Sequence, residues 1–397
     1  MNDRAPRVYL DNAATTPLDP RVRAAMLECI DDPLAFGNPS SVQHAWGRAA
    51  RERIEGARAE VAAAVGVAPA QVIWTSGATE ADNLALCGAA RYLRSRGRHV
   101  LTARTEHAAV LAPCRQLERE GFAIDYLSPG PAGIVEPEQL AQALRPDTVL
   151  VSLMHVNNET GVVQDVAAYA ALCRARGIVL HVDAAQSAGK VPLDANGWGI
   201  DLLSLTAHKV HGPKGVGALC VRREPRLGLA PILLGGGQER GLRSGTLPTH
   251  QLVGMGAAYR LAYASLAEDA RRIGALREAL WRELATMPGV LLNGDPLRRA
   301  PGILSVSIEG VEGESLLHAL DDIALASGSA CASNSAEASY VLRALGRDEQ
   351  LAQSSLRLSL GRFTTAEEVA HAARRIRAEV ERLRALTPRE LRQGAAG

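Results

Sequence analysis

The chain has 397 residues, a net charge of +1 and 47% hydrophobic residues. That length suits two domains, or one large domain with an appendage, and nothing in the balanced charge suggests an electrostatic nucleic-acid binder. Six cysteines (Cys29, Cys87, Cys114, Cys173, Cys220, Cys331) lie far apart with no CxxC pair, which argues against a disulfide framework or structural zinc and for a reducing compartment, the cytoplasm. The N-terminus has no apolar signal core, and no run approaches the roughly 20 apolar residues of a membrane span.

In chain order, Val8-Tyr-Leu10 reads as a short strand entering a polar turn, Asp11 to Pro17. After the turn-rich Phe36-Gly-Asn-Pro-Ser-Ser41, residues 45–65 are strong helix formers. Gln71–Thr75 reads as a strand and Ala78–Leu93 as a helix, with Thr75-Ser-Gly-Ala-Thr-Glu80 between them. Small residues at such a turn let backbone N–H groups close on an anion, phosphate above all. The alternative is a tight connection and nothing more.

Further strands are expected at 99–103, 148–153, 178–183 and 202–205, alternating with helices. This alternation predicts a mostly parallel sheet with right-handed crossovers. Polar residues recur where these strands end: Thr79, His107, Asn158, Asp183, Gln186, His208 and Lys209. Ligands bind at the carboxyl edge of such sheets, so this edge is the expected active site.

Lysine is scarce, at three of the 44 basic residues: Lys190, Lys209 and Lys214. Arginine stays protonated and cannot do amine chemistry. Lys209, just past a strand and before Gly and Pro turn signals, is therefore either an ordinary loop lysine or a reactive amine. Beyond it, the glycines of residues 235–246 are too irregular for a dinucleotide fingerprint, leaving phosphate binding or a crossing to a partner subunit. A long helix is expected at about 252–287, then a smaller α/β unit with strands at 302–307 and 354–360. A final amphipathic helix opens on a capping box, Thr365 with Glu368, and lines Val369, Ala373, Ile376, Val380 and Leu383 on one face.

An amine, a carboxylate at Asp183 and a phosphate cradle suggest pyridoxal phosphate, which needs a lysine, an acid at its ring nitrogen and an anion site. The rival is a metal held by His181 with Asp183, or by His208 with His211, although Lys209 between the latter would repel a cation. Cys331 sits in Ala326-Ser-Gly-Ser-Ala-Cys-Ala-Ser-Asn-Ser-Ala336. A run of small residues with little to pack predicts a mobile surface loop, so its thiol reads as an exposed nucleophile rather than buried filler.

The motifs resemble, in matching order, those of the pyridoxal-phosphate-dependent cysteine desulfurases, the NifS/IscS-like family of the class V aminotransferase group with PLP fold type I. They include Tyr9-Leu-Asp-Asn-Ala-Ala-Thr-Thr-Pro17, Thr75-Ser-Gly-Ala-Thr-Glu80, Thr105-Glu-His107, Val156-Asn-Asn-Glu-Thr-Gly161, His181-Val-Asp-Ala-Ala-Gln186 and His208-Lys209. Arg243-Ser-Gly-Thr246, Ser327-Gly-Ser-Ala-Cys331 and Arg357-Leu-Ser-Leu-Gly-Arg362 complete the series. The chain departs from the family at Thr206, often Ser, and at Ala332 and Ala338, and its tail after Leu386 does not match the scaffold-gripping segment of the housekeeping branch.

The resemblance implies an α/β fold with a large domain, residues 18–263, around a mostly parallel seven-stranded sheet. Residues 1–17 and 264–397 would form the smaller α/β domain carrying Cys331. Lys209 would be the Schiff-base lysine, Asp183 the partner of the pyridine nitrogen, and His107 the residue stacked on the ring and moving protons. Asn158 and Gln186 would sit at the ring. Ala78, Thr79, Thr206 and His208 would hold the phosphate, with Thr246 reaching across from the other subunit of a homodimer. Arg357, with Asn158, would bind the substrate carboxylate.

The implied reaction converts L-cysteine to L-alanine and leaves the sulfur as a persulfide on Cys331. It would pass to an acceptor protein, such as an iron–sulfur scaffold, for cluster or other thio-cofactor assembly. Alternatives are a selenocysteine lyase or another lyase or aminotransferase of this fold, and a non-catalytic platform for assembly partners. No metal, membrane or direct nucleic-acid role is expected.

Overall fold

The computed structural model describes residues 7–223, 227–327 and 338–386. The strands, in chain order, are β1 (Val8–Tyr9), β2 (Val72–Thr75), β3 (His99–Ala103), β4 (Ala123–Leu127), β5 (Thr148–Ser152), β6 (Val179–Asp183), β7 (Leu202–Thr206) and β8 (Gly217–Val221). They continue with β9 (Val290–Leu292), β10 (Ile303–Ile308), β11 (Ile323–Ala324), β12 (Ala326–Ser327) and β13 (Ser355–Ser359).

Seven strands form the main sheet in the order β2-β8-β7-β6-β5-β3-β4. Its pairings are parallel except those of β8, which runs antiparallel to both β2 and β7. The mostly parallel sheet expected from the alternation is present, with the seven strands that the resemblance implied. Strands β2, β3, β5, β6, β7 and β8 are buried along their whole length, which explains their continuous apolar runs, since helices cover both faces of such a sheet. One hydrophobic core includes Trp74, Leu101, Leu180, Leu205 and Tyr259, and a second includes Ile73, Leu84, Val100, Leu150 and Leu219.

A third core takes Val8 and Leu10 together with Leu280, Leu304, Leu356, Ile376 and Val380. It lies beside the antiparallel sheet β12-β13-β10-β9 and the parallel pair β1-β11. The N-terminal strand therefore packs with residues some 300 positions later.

The helix expected at about 252–287 is two helices, Thr249–Ala264 and Leu266–Leu284. Ser265 separates them at φ −106°, ψ 7°. Its hydroxyl donates to the Leu261 carbonyl and to Asp269, and it accepts from Arg362. A serine that satisfies the backbone with its own side chain ends a helix that the apolar pattern runs through. The capping box of the last helix is formed: Thr365 N donates to Glu368 Oε2 at 2.8 Å and Glu368 N to Thr365 Oγ1 at 3.2 Å. That helix, Ala366–Leu386, buries Val369, Ala373, Ile376 and Val380.

Candidate active site

The carboxyl ends of β2, β5, β6 and β7 open on a cleft of about 570 Å3. Ten of the twelve residues singled out from the sequence line it: Ala78, Thr79, His107, Asn158, Asp183, Gln186, Thr206, His208, Lys209 and Arg357. Thr246 is exposed and is not among the lining residues of this cleft. Cys331 lies outside the described residues, as does the tail beyond residue 386.

The helix Ala78–Leu93 starts at Gly77 with no side-chain cap, so its first N–H groups are available to an anion at the cleft floor. Gly217, opening β8, makes this geometry possible. A Cβ there would lie 2.6 Å from Gly77 Cα and 2.5 Å from the Leu205 carbonyl, so only glycine lets β8 pass this close. Beside this turn the Thr206 hydroxyl is buried without a hydrogen-bond partner among the described residues. The Asn158 side-chain oxygen is in the same condition. Buried polar atoms are rarely left unmatched, and these two line the same cleft as the helix N-terminus. An uncapped helix and an orphan hydroxyl fit a phosphorylated ligand.

Asp183 ends β6 and is buried, one oxygen accepting from Ala185 N at 2.8 Å. Burial, then the neighbouring Asp82 charge, pushes its carboxyl up to about 6. A carboxylate in that state gains from a positive partner such as a pyridinium N–H. His107 caps the helix Ala108–Arg119, with Nδ1 accepting from Ala109 N at 3.1 Å. Burial and then Lys209 lower its pKa, so the ring is neutral with its proton on Nε2. His208 is likewise neutral, lowered to about 4 by burial and then by the lysines, with Nδ1 3.2 Å from Thr15 Oγ1.

Arg357, on β13, reaches the cleft from the antiparallel sheet and is almost wholly buried. It donates to the Asn158 carbonyl at 3.0 Å and to Asp11 at 2.9 Å. Gln186 donates to the Ala13 carbonyl at 2.7 Å and accepts from Lys190 at 3.0 Å. Lys209 stands in the turn after β7, closed by Val210 N and Gly212 N on the Ala207 carbonyl.

The metal alternative does not match the side-chain directions. His181 spends both nitrogens inside the sheet, on Ser152 at 2.8 Å and Ser204 at 2.9 Å. His211 turns Nδ1 to the Pro17 carbonyl. The five described cysteines, Cys29, Cys87, Cys114, Cys173 and Cys220, are all buried, and burial raises each thiol, so none is a ready nucleophile.

Sequence reasoning missed Asp82, Glu106 and Asp11. Asp82 is fully buried in the helix after the anion turn and lines the cleft. Its carboxylate lies 3.5 Å from His181 Nε2 and beside the Ser204 hydroxyl, without a well-aligned hydrogen bond to either. Burial raises it to about 7. The available signal was an acid on the apolar stripe of that helix, four residues before Leu86.

The family model for class-V aminotransferases matches residues 8–371. A cysteine desulfurase IscS of Aeromonas hydrophila is 54% identical over 381 residues, which cover 96% of this chain and 94% of that one. Its counterpart in Escherichia coli O9:H4 is 53% identical over the same shares. Among solved structures, a NifS-like protein superposes with a TM-score of 0.88 at 35% identity, covering 95% of this chain and all of its own. DndA from Streptomyces lividans gives 0.75 at 43% identity over 89% of this chain and 99% of its own.

Proposed function

Since the chain belongs to the class-V aminotransferase family, as a pyridoxal-phosphate-dependent cysteine desulfurase, we propose that the cleft around Lys209 is where L-cysteine is desulfurised. The observation that carries this reading is the convergence of Lys209, Asp183, His107 and Arg357 on one cleft beside an uncapped helix N-terminus.

When bound, pyridoxal phosphate supplies an electron sink for the charge left on the substrate α-carbon. Lys209 Nζ would provide the anchoring amine and a base for the substrate α-proton. Asp183 holds the pyridine nitrogen protonated. The N–H groups of Ala78 and Thr79, the Thr206 hydroxyl and His208 hold the phosphate. Gln186 and Asn158 orient the ring, and Arg357 binds the substrate carboxylate as a fork. His107 would stand beside the ring, its Nδ1 taken by Ala109 N and its exchangeable proton on Nε2.

Cys331, as thiolate, attacks the substrate sulfur: an S–S bond forms, the substrate Cβ–S bond breaks with its electron pair left on the carbon side, Cβ takes up a proton, and alanine leaves while the persulfide stays on Cys331. The burial of the five described cysteines supports this assignment. The persulfide sulfur then passes to an acceptor protein such as an iron–sulfur scaffold.

Residues 18–263 form the large domain, and 1–17 with 264–397 the small one, a division supported by the shared core of Val8, Leu10 and residues 280–380. The working unit is a homodimer in which Thr246 completes the partner's phosphate site. Its exposure supports this, as do the exposed Ile30, Leu34, Phe36 and Trp46 between residues 30 and 46. Among the described residues no helix is long and apolar enough to cross a membrane, and the five described cysteines, all free, support a cytoplasmic setting.

The test is optical. The purified protein should carry a visible band that borohydride shifts and Lys209→Ala abolishes. A colourless wild-type protein that takes up no pyridoxal phosphate would overturn the reading.

A further inference from the structure

Two of the chain's three lysines, Lys190 and Lys209, line one small cavity of about 60 Å3. It shares Ala13 and Lys209 with the cleft. Lys190 ends the turn that follows β6. The corner of that turn is Gly189, at φ +72°, where a Cβ would lie 2.9 Å from Ala262 Cβ and 3.1 Å from Val210 Cγ1. Only glycine brings the turn this close to the segment that holds Lys209.

Lys190 Nζ donates to Gln186 Oε1 at 3.0 Å, and Gln186 Nε2 donates onward to the Ala13 carbonyl at 2.7 Å. While it holds its proton Lys190 only donates, so in that state it and the Ala13 carbonyl together set which way the Gln186 amide faces. Its hydrogen-bond partner is a neutral amide rather than an acid. The charges acting on it, Lys209 and Arg357, are both positive, and with burial as the larger cause they lower its pKa to about 7.

The repulsion is mutual. We propose that Lys190 is a positioning residue for the cofactor lysine: it orients Gln186, and its ammonium disfavours a second positive charge at Lys209 Nζ. A neighbouring cation is a general way to keep a lysine nitrogen unprotonated and reactive near neutral pH. Other groups act here too. Asp82 and Asp183 interact with Lys209 in the opposite sense. His107, His208 and His211 are kept neutral chiefly by burial. Asp269, in the cavity wall, is engaged by Arg362. Lys190 is the only cation among the three lysines placed to act both through Gln186 and across the shared cavity.

The role assumes that Lys209 anchors the cofactor. The experiment is a pH titration of the visible band in the substrate-free holoenzyme, which reads protonation at the Lys209 nitrogen. It compares wild type with Lys190→Arg, Lys190→Gln and Lys190→Met. The Arg variant keeps the charge, and its midpoint should stay at or below the wild-type value. The Gln and Met variants should move the midpoint up by about one pH unit, roughly tenfold in proton affinity. Gln keeps a donor for Gln186, so a shift shared with Met belongs to the charge. If the Met variant does not fold, Gln against Arg decides. Coinciding midpoints, or an Arg midpoint that rises with Gln, would overturn the role of Lys190. Loss of the band in Lys209→Ala keeps the anchor reading separate: a band that survives that substitution overturns the anchor, whereas one that is lost there but immobile in the Lys190 variants overturns Lys190 alone.

Discussion

Arg357, which lines the cleft, and Asp11 form an ion pair at 2.9 Å, joining β13 to the turn after β1. The same guanidinium donates to the Asn158 carbonyl, while its Nε is buried without a partner among the described residues. Asp11 thus fixes the plane of the fork that we propose meets the substrate carboxylate. Lysine at 357 keeps the charge and loses the fork. Arg357→Lys should raise KM for cysteine by about tenfold or more, about 1.4 kcal/mol or more of binding. Asp11→Asn should raise it less. Steady-state KM of the two variants decides it, and an unchanged KM in Arg357→Lys would remove Arg357 from substrate binding.

The Thr206 hydroxyl is the clearest mark of an intended ligand, because it is buried and makes no hydrogen bond among the described residues. Removing it costs the fold nothing it now has. Thr206→Val should leave the melting temperature of the cofactor-free protein level or slightly higher. It should weaken pyridoxal phosphate binding by roughly ten- to a hundred-fold, the worth of one hydrogen bond to a charged group. Equilibrium dialysis of both proteins measures this. Equal affinities would show that the phosphate lies elsewhere.

Asp82 supplies a prediction with a defined pH window. Its carboxyl is raised to about 7 in the fold, against roughly 4 in an unfolded chain. Below about pH 4 both states hold the proton and no penalty exists. The penalty for ionising it in the core grows from there and is complete above pH 7. Asp82→Asn should therefore be more stable than wild type at pH 8, by roughly 1–3 kcal/mol, with the gap closing as pH falls towards 4. Thermal melts at pH 8, 6 and 5 read the trend. A gap of the same size at every pH would mean that Asp82 is not a buried charge.

Much of this was readable from the residues. The strands at 99–103 and 202–206 are apolar runs ended by polar residues, and that pattern survives any tertiary detail. The cleft was readable for the same reason, since strand ends put His107, Asp183 and Lys209 on one edge. What escaped depends on contacts distant in sequence. The break at Ser265 needs Asp269 and Arg362 around its hydroxyl. Asp82 lies on the apolar stripe of its helix, but an acid there shows its burial only once the stripe is packed against the sheet. Lys190 is unremarkable in a turn until Gly189 presses that turn against Ala262 and Val210.

The most direct measurement is mass analysis of the protein after incubation with L-cysteine, with alanine assayed alongside. The account predicts one added sulfur on the peptide carrying Cys331, alanine released, and both sulfur on that peptide and transfer to an acceptor lost in Cys331→Ala. Alanine release at the full wild-type rate in Cys331→Ala, or added sulfur on Cys29, Cys87, Cys114, Cys173 or Cys220 instead, would contradict it.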